Sequence, residues 1–212
     1  MFDGVLFDLD GTLWDATGAI CASWQRVLER HPEIVRPPVT VEEVRSTMGL
    51  LLRDIARKMF HHVPGDLRDQ INREHSEEMH RALAVSGGAL YPGVEETLAR
   101  LAGKYRLFLV SNCGDGYLNA FYAAHGLKKY FTGDLCAGRT GRPKKDNIAQ
   151  VAAEYALKNP VYVGDTQLDC TSAREAGVSF LHAAYGFGTA EGAPSVAAFA
   201  QLPEALERLS PP

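Results

Sequence analysis

The chain has 212 residues, of which 46% are hydrophobic and 23% charged, with a net charge of −4. This is the balance of a folded globular chain and excludes disordered and fibrous classes, while the intermixing of acids and bases leaves no basic block to track a nucleic-acid backbone and so argues against a nucleic-acid partner. No apolar run approaches the ~20 residues a bilayer span needs and no charged-then-apolar leader opens the chain, so a cytoplasmic protein with no membrane partner is expected. Cys21, Cys113, Cys136 and Cys170 are widely spaced, with no C-x-x-C pair, which predicts free thiols rather than a zinc or redox motif.

Val5–Leu9 is a short apolar run closed by Asp10-Gly11-Thr12, the pattern of a buried strand with polar residues at its carboxyl end. Residues 16–86 contain amphipathic helical patterns over Ile20–Leu28, Val41–Met48, Leu52–Phe60 and Leu67–Leu83, and no buried strand. This stretch closes at Ser86-Gly87-Gly88, where a hinge is expected, and is followed by Tyr91-Pro92-Gly93. A helix over Val94–Leu101 then precedes a second apolar run, Tyr105–Val110, which stops at Ser111-Asn112. The basic stretch Gly141–Asn147 leads to a predicted helix over Ile148–Leu157, and the strand Val161–Val163 stops at Gly164-Asp165. A helix over Thr171–Ala176 ends at Gly177, and a last strand, Val178–His182, runs into Tyr185–Gly188. Pro211-Pro212 is expected to fray.

Strands alternating with helices of this length predict an α/β fold with a Rossmann-like parallel sheet covered on both faces. Residues 1–15 and 87–212 would form that core, and residues 16–86 an inserted α-helical cap.

In an open parallel sheet the strand ends share one edge, where ligands bind. Four polar clusters from distant parts of the sequence would meet there. In the first, Asp8 and Asp10 stand two residues apart at a strand end, an arrangement that calls for a cation or a shared proton. Magnesium suits such oxygen ligands and bridges readily to phosphate, and Gly11 lets backbone N–H groups approach an anion. One carboxylate can then attack phosphorus while the other handles the proton. The second cluster, Ser111-Asn112, offers a hydroxyl and an amide to a phosphoryl oxygen. The third, around Lys144, offers positive charge. The fourth, Asp165 and Asp169, supplies a metal ligand and an anchor behind it.

Taken in order, these residues resemble the haloacid dehalogenase superfamily. Asp8-Leu9-Asp10-Gly11-Thr12-Leu13 matches its D-x-D-G-T-L motif in full, Ser111 its second motif, Lys144 its third, and Gly164, Asp165 and Asp169 its G-D-x-x-x-D motif. The resemblance implies a magnesium-dependent phosphatase with Asp8 as nucleophile and Asp10 as general acid/base. Magnesium would be held by Asp8, the carbonyl of Asp10 and Asp165, with Asp169 in support. Phosphate would be held by Ser111, Asn112 and Lys144, with Leu9, Gly11 and Thr12 of the first loop. Asp10 favours phosphoryl transfer over dehalogenation, and the layout is most similar to the phosphoglycolate phosphatase branch with its helical cap. Lys145 and Arg142 are alternatives for the third motif.

The expected partner is a small phosphorylated metabolite, and the chain would act as a monomer or homodimer. Arg45, Arg53, Lys58 and His61 are candidate cap anchors for an anionic substrate, and Gly49 marks a loop that would point into the site. A phosphomutase using the same clusters, and a non-catalytic binding module on the same fold, are the competing readings.

Overall fold

The computed structural model describes residues 1–209; Pro211-Pro212 lie outside the described residues. The core is a six-stranded parallel sheet. In chain order its strands are β1 (Gly4–Phe7), β4 (Arg106–Ser111), β5 (Gly133–Cys136), β6 (Pro160–Gly164), β7 (Ser179–Ala183) and β8 (Ser195–Val196). They are arranged β5-β4-β1-β6-β7-β8. β1 lies between β4 and β6, with Phe7 level with Leu109 on one side and Val163 on the other.

A strand buried on both faces has to be apolar along its whole length, and all four residues of β1 are buried. Their alternation feeds two cores. Val5 and Phe7 pack in a large cluster with Leu98, Phe121 and Leu206. Leu6 points the other way, among Ile148, Val151, Cys170 and Ala173.

Residues between the first and second core strands form α1 (Thr17–Glu29), α2 (Val41–Arg45), α3 (Leu52–Met59) and α4 (Gly65–Ser86). A short antiparallel ribbon, β2 (Trp14–Asp15) and β3 (Ala89–Leu90), carries the chain into and out of this helical segment. The ribbon is tied to the core through Trp14, whose ring packs edge-on against Phe121 at 5.1 Å and Tyr117 at 5.6 Å. Gly87 stops α4 at φ +66°, and a side chain there would strike His125. The glycine pair therefore serves as a helix stop and a close-approach point on the ribbon.

The remaining helices cover the sheet: α5 (Val94–Ala102), α6 (Tyr117–His125), α7 (Ala137–Thr140), α8 (Lys144–Glu154), α9 (Gln167–Glu175) and α10 (Leu202–Leu209). Two of these differ from the sequence expectation. α8 begins at Lys144, directly after Pro143 at its cap position, and ends at Glu154; Ala156 then takes φ +50°, so the helix does not reach Leu157. α9 begins at Gln167 rather than Thr171, because Thr166 and Asp169 form a reciprocal capping box that starts the helix early. No helix among the described residues is long and apolar enough to cross a membrane.

Candidate active site

Asp8 follows the last residue of β1, and its N–H continues the ladder by donating to Val163 at 2.9 Å. Ser111 closes β4, Asp165 follows β6, Asp169 lies in the first turn of α9 and Lys144 opens α8. The parallel topology thus brings residues from positions 8 to 169 to one carboxyl edge.

Asp8, Asp165 and Asp169 are all buried, and one oxygen from each lies within 4.8 Å of the others. Lys144 Nζ is 3.0 Å from Asp8 Oδ1 and 2.5 Å from Asp169 Oδ1. Lys145 instead pairs with Glu175 at the surface, and Arg142 is exposed. Only Lys144 of the three reaches the carboxylates, because helix formation from residue 144 turns its side chain under the sheet edge.

Asp169 is fully engaged: Oδ1 takes Lys144, and Oδ2 accepts from the backbone N–H and hydroxyl of Thr166. Asp165 is held by the Phe187 N–H on Oδ2 at 2.8 Å, and His182 Nε2 donates to its carbonyl at 3.1 Å. Asp165 Oδ1 is buried with no hydrogen-bond partner, and Asp8 Oδ1 is buried with only the Lys144 ammonium beside it. Orphaned buried carboxylate oxygens are costly, and a hard divalent cation ligated by oxygen is the group that would satisfy them.

The electrostatics agree. Burial, opposed by Lys144 and reinforced by Asp169, raises the Asp8 pKa to about 6. Burial and then the negative charge of Asp169 and Asp8 raise Asp165 to about 8. Burial works against the Lys144 charge, but Asp169 and Asp8 outweigh it and hold the ammonium well above its ordinary range. Three buried carboxylates facing one ammonium form a cluster short of positive charge.

Asp10 lies outside the trio and is partly open. The Tyr117 hydroxyl donates to its Oδ1 at 2.8 Å and the Trp14 indole N–H at 3.0 Å. Burial raises its pKa to about 7, against the lowering effect of the Tyr117 hydrogen bond. A carboxyl near neutrality can both give and take a proton. Neither Tyr117 nor Trp14 stood out in the sequence; each is an aromatic whose apolar body the core requires, and nothing in its spacing announces the polar contact.

The first loop is tightly built. Gly11 has φ +78°, and a Cβ there would lie 2.1 Å from Asp165 Oδ2. Its N–H is already given to the Trp14 carbonyl at 2.9 Å. Gly11 therefore contributes room for Asp165, and its own N–H is not free for an anion. Thr12 is buried with its hydroxyl unpartnered.

A cavity opens between this edge and the helical segment, lined on the core side by Asp8, Asp10, Ser111, Asn112 and Tyr117. The loop after α2 closes over it: Thr47–Leu50 line the cavity, and the Asn112 amide donates to the Gly49 carbonyl at 2.8 Å. The Asn112 amide thereby holds this loop, while its Oδ1 has no partner. The cap cations lie elsewhere. Arg45 pairs with Asp15, Lys58 donates to the Ser46 carbonyl, His61 is exposed, and Arg53 lines a neighbouring cavity.

Comparison with known proteins places this geometry in context. A family model described as "Haloacid dehalogenase-like hydrolase" matches residues 5–183. A phosphoglycolate phosphatase of Vibrio parahaemolyticus is 28% identical over 204 residues, covering 88% of this chain and 86% of its own. A "predicted phosphoglycolate phosphatase" from Haemophilus somnus superposes with a TM-score of 0.83 at 22% identity, covering 96% of this chain and 97% of that one. A mutant of CbbY from Rhodobacter sphaeroides, solved in complex with xylulose-(1,5)-bisphosphate, superposes at 0.80 with 20% identity, covering 95% of this chain and 96% of that one.

Proposed function

The chain belongs to the haloacid dehalogenase-like hydrolase family and is a phosphatase, and from that premise we propose that it hydrolyses the monoester of a small phosphorylated metabolite through a phosphorylated Asp8. The observation that carries this reading is the meeting of Asp8, Asp165 and Asp169 within 4.8 Å, with one ammonium for three carboxylates and Asp165 Oδ1 left without a partner.

Asp8, Asp165 and the Asp10 carbonyl would hold a magnesium ion, with Asp169 bracing the set through Lys144. Bound there, the ion supplies charge neutralisation for the phosphoryl oxygens. An Asp8 oxygen attacks phosphorus as the bond to the ester oxygen breaks. Asp10 gives its proton to that oxygen, so the alcohol leaves neutral. As a carboxylate, Asp10 then takes a proton from the water whose oxygen attacks the phosphorus of the Asp8 acyl phosphate. Inorganic phosphate leaves and Asp8 is restored. Ser111, the Leu9 and Thr12 segment and Lys144 steady the phosphoryl group, and Asn112 joins them when its bond to Gly49 opens. Residues 16–86 act as the cap that excludes bulk water during the first transfer.

Phosphate release from p-nitrophenyl phosphate, measured with magnesium and with excess chelator, tests this. Turnover is expected only with the metal, and an unchanged rate in chelator would contradict it. Product analysis with sugar phosphates should give free phosphate; an isomerised ester in its place would indicate a mutase.

A further inference from the structure

The cavity wall that faces the leaving group is supplied by the cap, and that wall carries no cation. Ile20, Trp24, Leu50, Leu52, Ile55 and Met79 form most of it. Thr47, the hydroxyl residue among them, spends its Oγ1 on the Val44 carbonyl at 2.6 Å. His75 also lines the cavity, but its ring is stacked on Trp24 at 3.7 Å and 5°. Burial drives the pKa of His75 down to about 3, against a weak opposing contact with the Ile20 carbonyl, so its imidazole is neutral at physiological pH. Arg26, the nearest cation in sequence to Trp24, is paired with Glu78.

Phosphoglycolate would place a second anion, its carboxylate, against this surface. Burying a carboxylate among apolar side chains without a partner is strongly unfavourable, and Lys144 is already paired with Asp8 and Asp169. Resting on the phosphatase reading above, we propose that this enzyme selects phosphate monoesters whose alcohol is uncharged and largely apolar, with the Trp24-centred cap wall as the specificity surface.

Isobutyl phosphate and phosphoglycolate make a matched pair, since the two methyl groups of one stand where the two carboxylate oxygens of the other do, and both leave as primary alcohols. With magnesium present, kcat/KM for isobutyl phosphate is expected to exceed that for phosphoglycolate by about tenfold or more, since an apolar site rejects an unpaired charge far more strongly than an extra methylene. Leu52 is only partly buried at the start of α3, so Leu52→Arg can bring a cation to the wall without disturbing the core; it should shift the preference toward phosphoglycolate by about tenfold through KM. A native enzyme that prefers phosphoglycolate, or a Leu52→Arg variant whose preference does not move, would overturn the proposal while leaving the phosphatase reading intact. Release of phosphate from neither ester nor p-nitrophenyl phosphate would overturn both.

Discussion

Tyr117 shows how a residue outside the motifs can govern one inside them. Its hydroxyl and the Trp14 indole both converge on Asp10 Oδ1, fixing the carboxyl that we propose protonates the leaving oxygen. Tyr117→Phe removes one of these two restraints and keeps the aromatic body. Its kcat is expected to fall on the order of tenfold with KM unchanged, less than the full 10²–10⁴ supplied by general acid–base catalysis; steady-state kinetics on one ester decide this. Gly11→Ala is a harsher change, because the new methyl would occupy the place of Asp165 Oδ2. Activity and metal affinity should both be lost, and calorimetric titration with magnesium checks the second directly. At this scale the motif residues were legible in the sequence, because carboxylates closing apolar runs have few structural excuses. Lys144 was the preferred reading for the third motif, with Lys145 and Arg142 as alternatives. α8 starts at Lys144, which puts that residue under the sheet edge and leaves Lys145 paired with Glu175 at the surface.

Among the elements, the helices of residues 16–86 were legible by periodicity, since each presents one apolar face. β5 was not: Gly133-Asp-Leu-Cys136 has too few apolar residues to stand out, being an edge strand only partly buried. β2 and β3 have two residues each, too short for any periodic signal. Within the cap, His31 at the end of α1 bonds Glu74 of α4 at 2.9 Å and Glu33 at 3.1 Å. The hydrogen bond to Glu74 raises the His31 pKa despite the opposing effect of burial. A folded-state pKa above the unfolded value of about 6.5 contributes stability that is present below that value. The contribution is lost as pH rises through the raised folded value. Thermal midpoints of wild type and His31→Gln should therefore differ more at about pH 5 than at a pH above the raised folded value, where the imidazole is neutral in both states. An equal difference at both ends would show that the pair does not link α1 to α4 electrostatically.

In the proposed reading the sheet edge supplies the chemistry and the helical segment the surroundings. The two meet where α4 packs along α6, with His80 against Tyr117, and at the Asn112–Gly49 hydrogen bond. A ligand that binds only the folded edge stabilises the chain by mass action, about 2.7 kcal/mol at a hundredfold excess over Kd. For a chain of this size that is roughly 5–10 °C in Tm. Magnesium should produce such a shift in wild type and little in Asp165→Asn, as differential scanning calorimetry can test. What the sequence left obscure at this scale is the cap wall. Arg45, Arg53, Lys58 and His61 were reasonable anchors by charge, but Arg45 and Lys58 are engaged by Asp15 and Ser46, and none of the four lines the cavity. Apolar residues such as Ile55 and Met79, which read as ordinary core positions, line it instead.

The most direct test follows the phosphoryl group itself. Enzyme quenched in acid during turnover with magnesium, then digested and mapped by mass spectrometry, should carry phosphate on the peptide containing Asp8. Asp8→Asn should fold with an unchanged circular dichroism spectrum, carry no phosphate and release none. Phosphate on a different residue, or continued turnover by Asp8→Asn, would contradict the account.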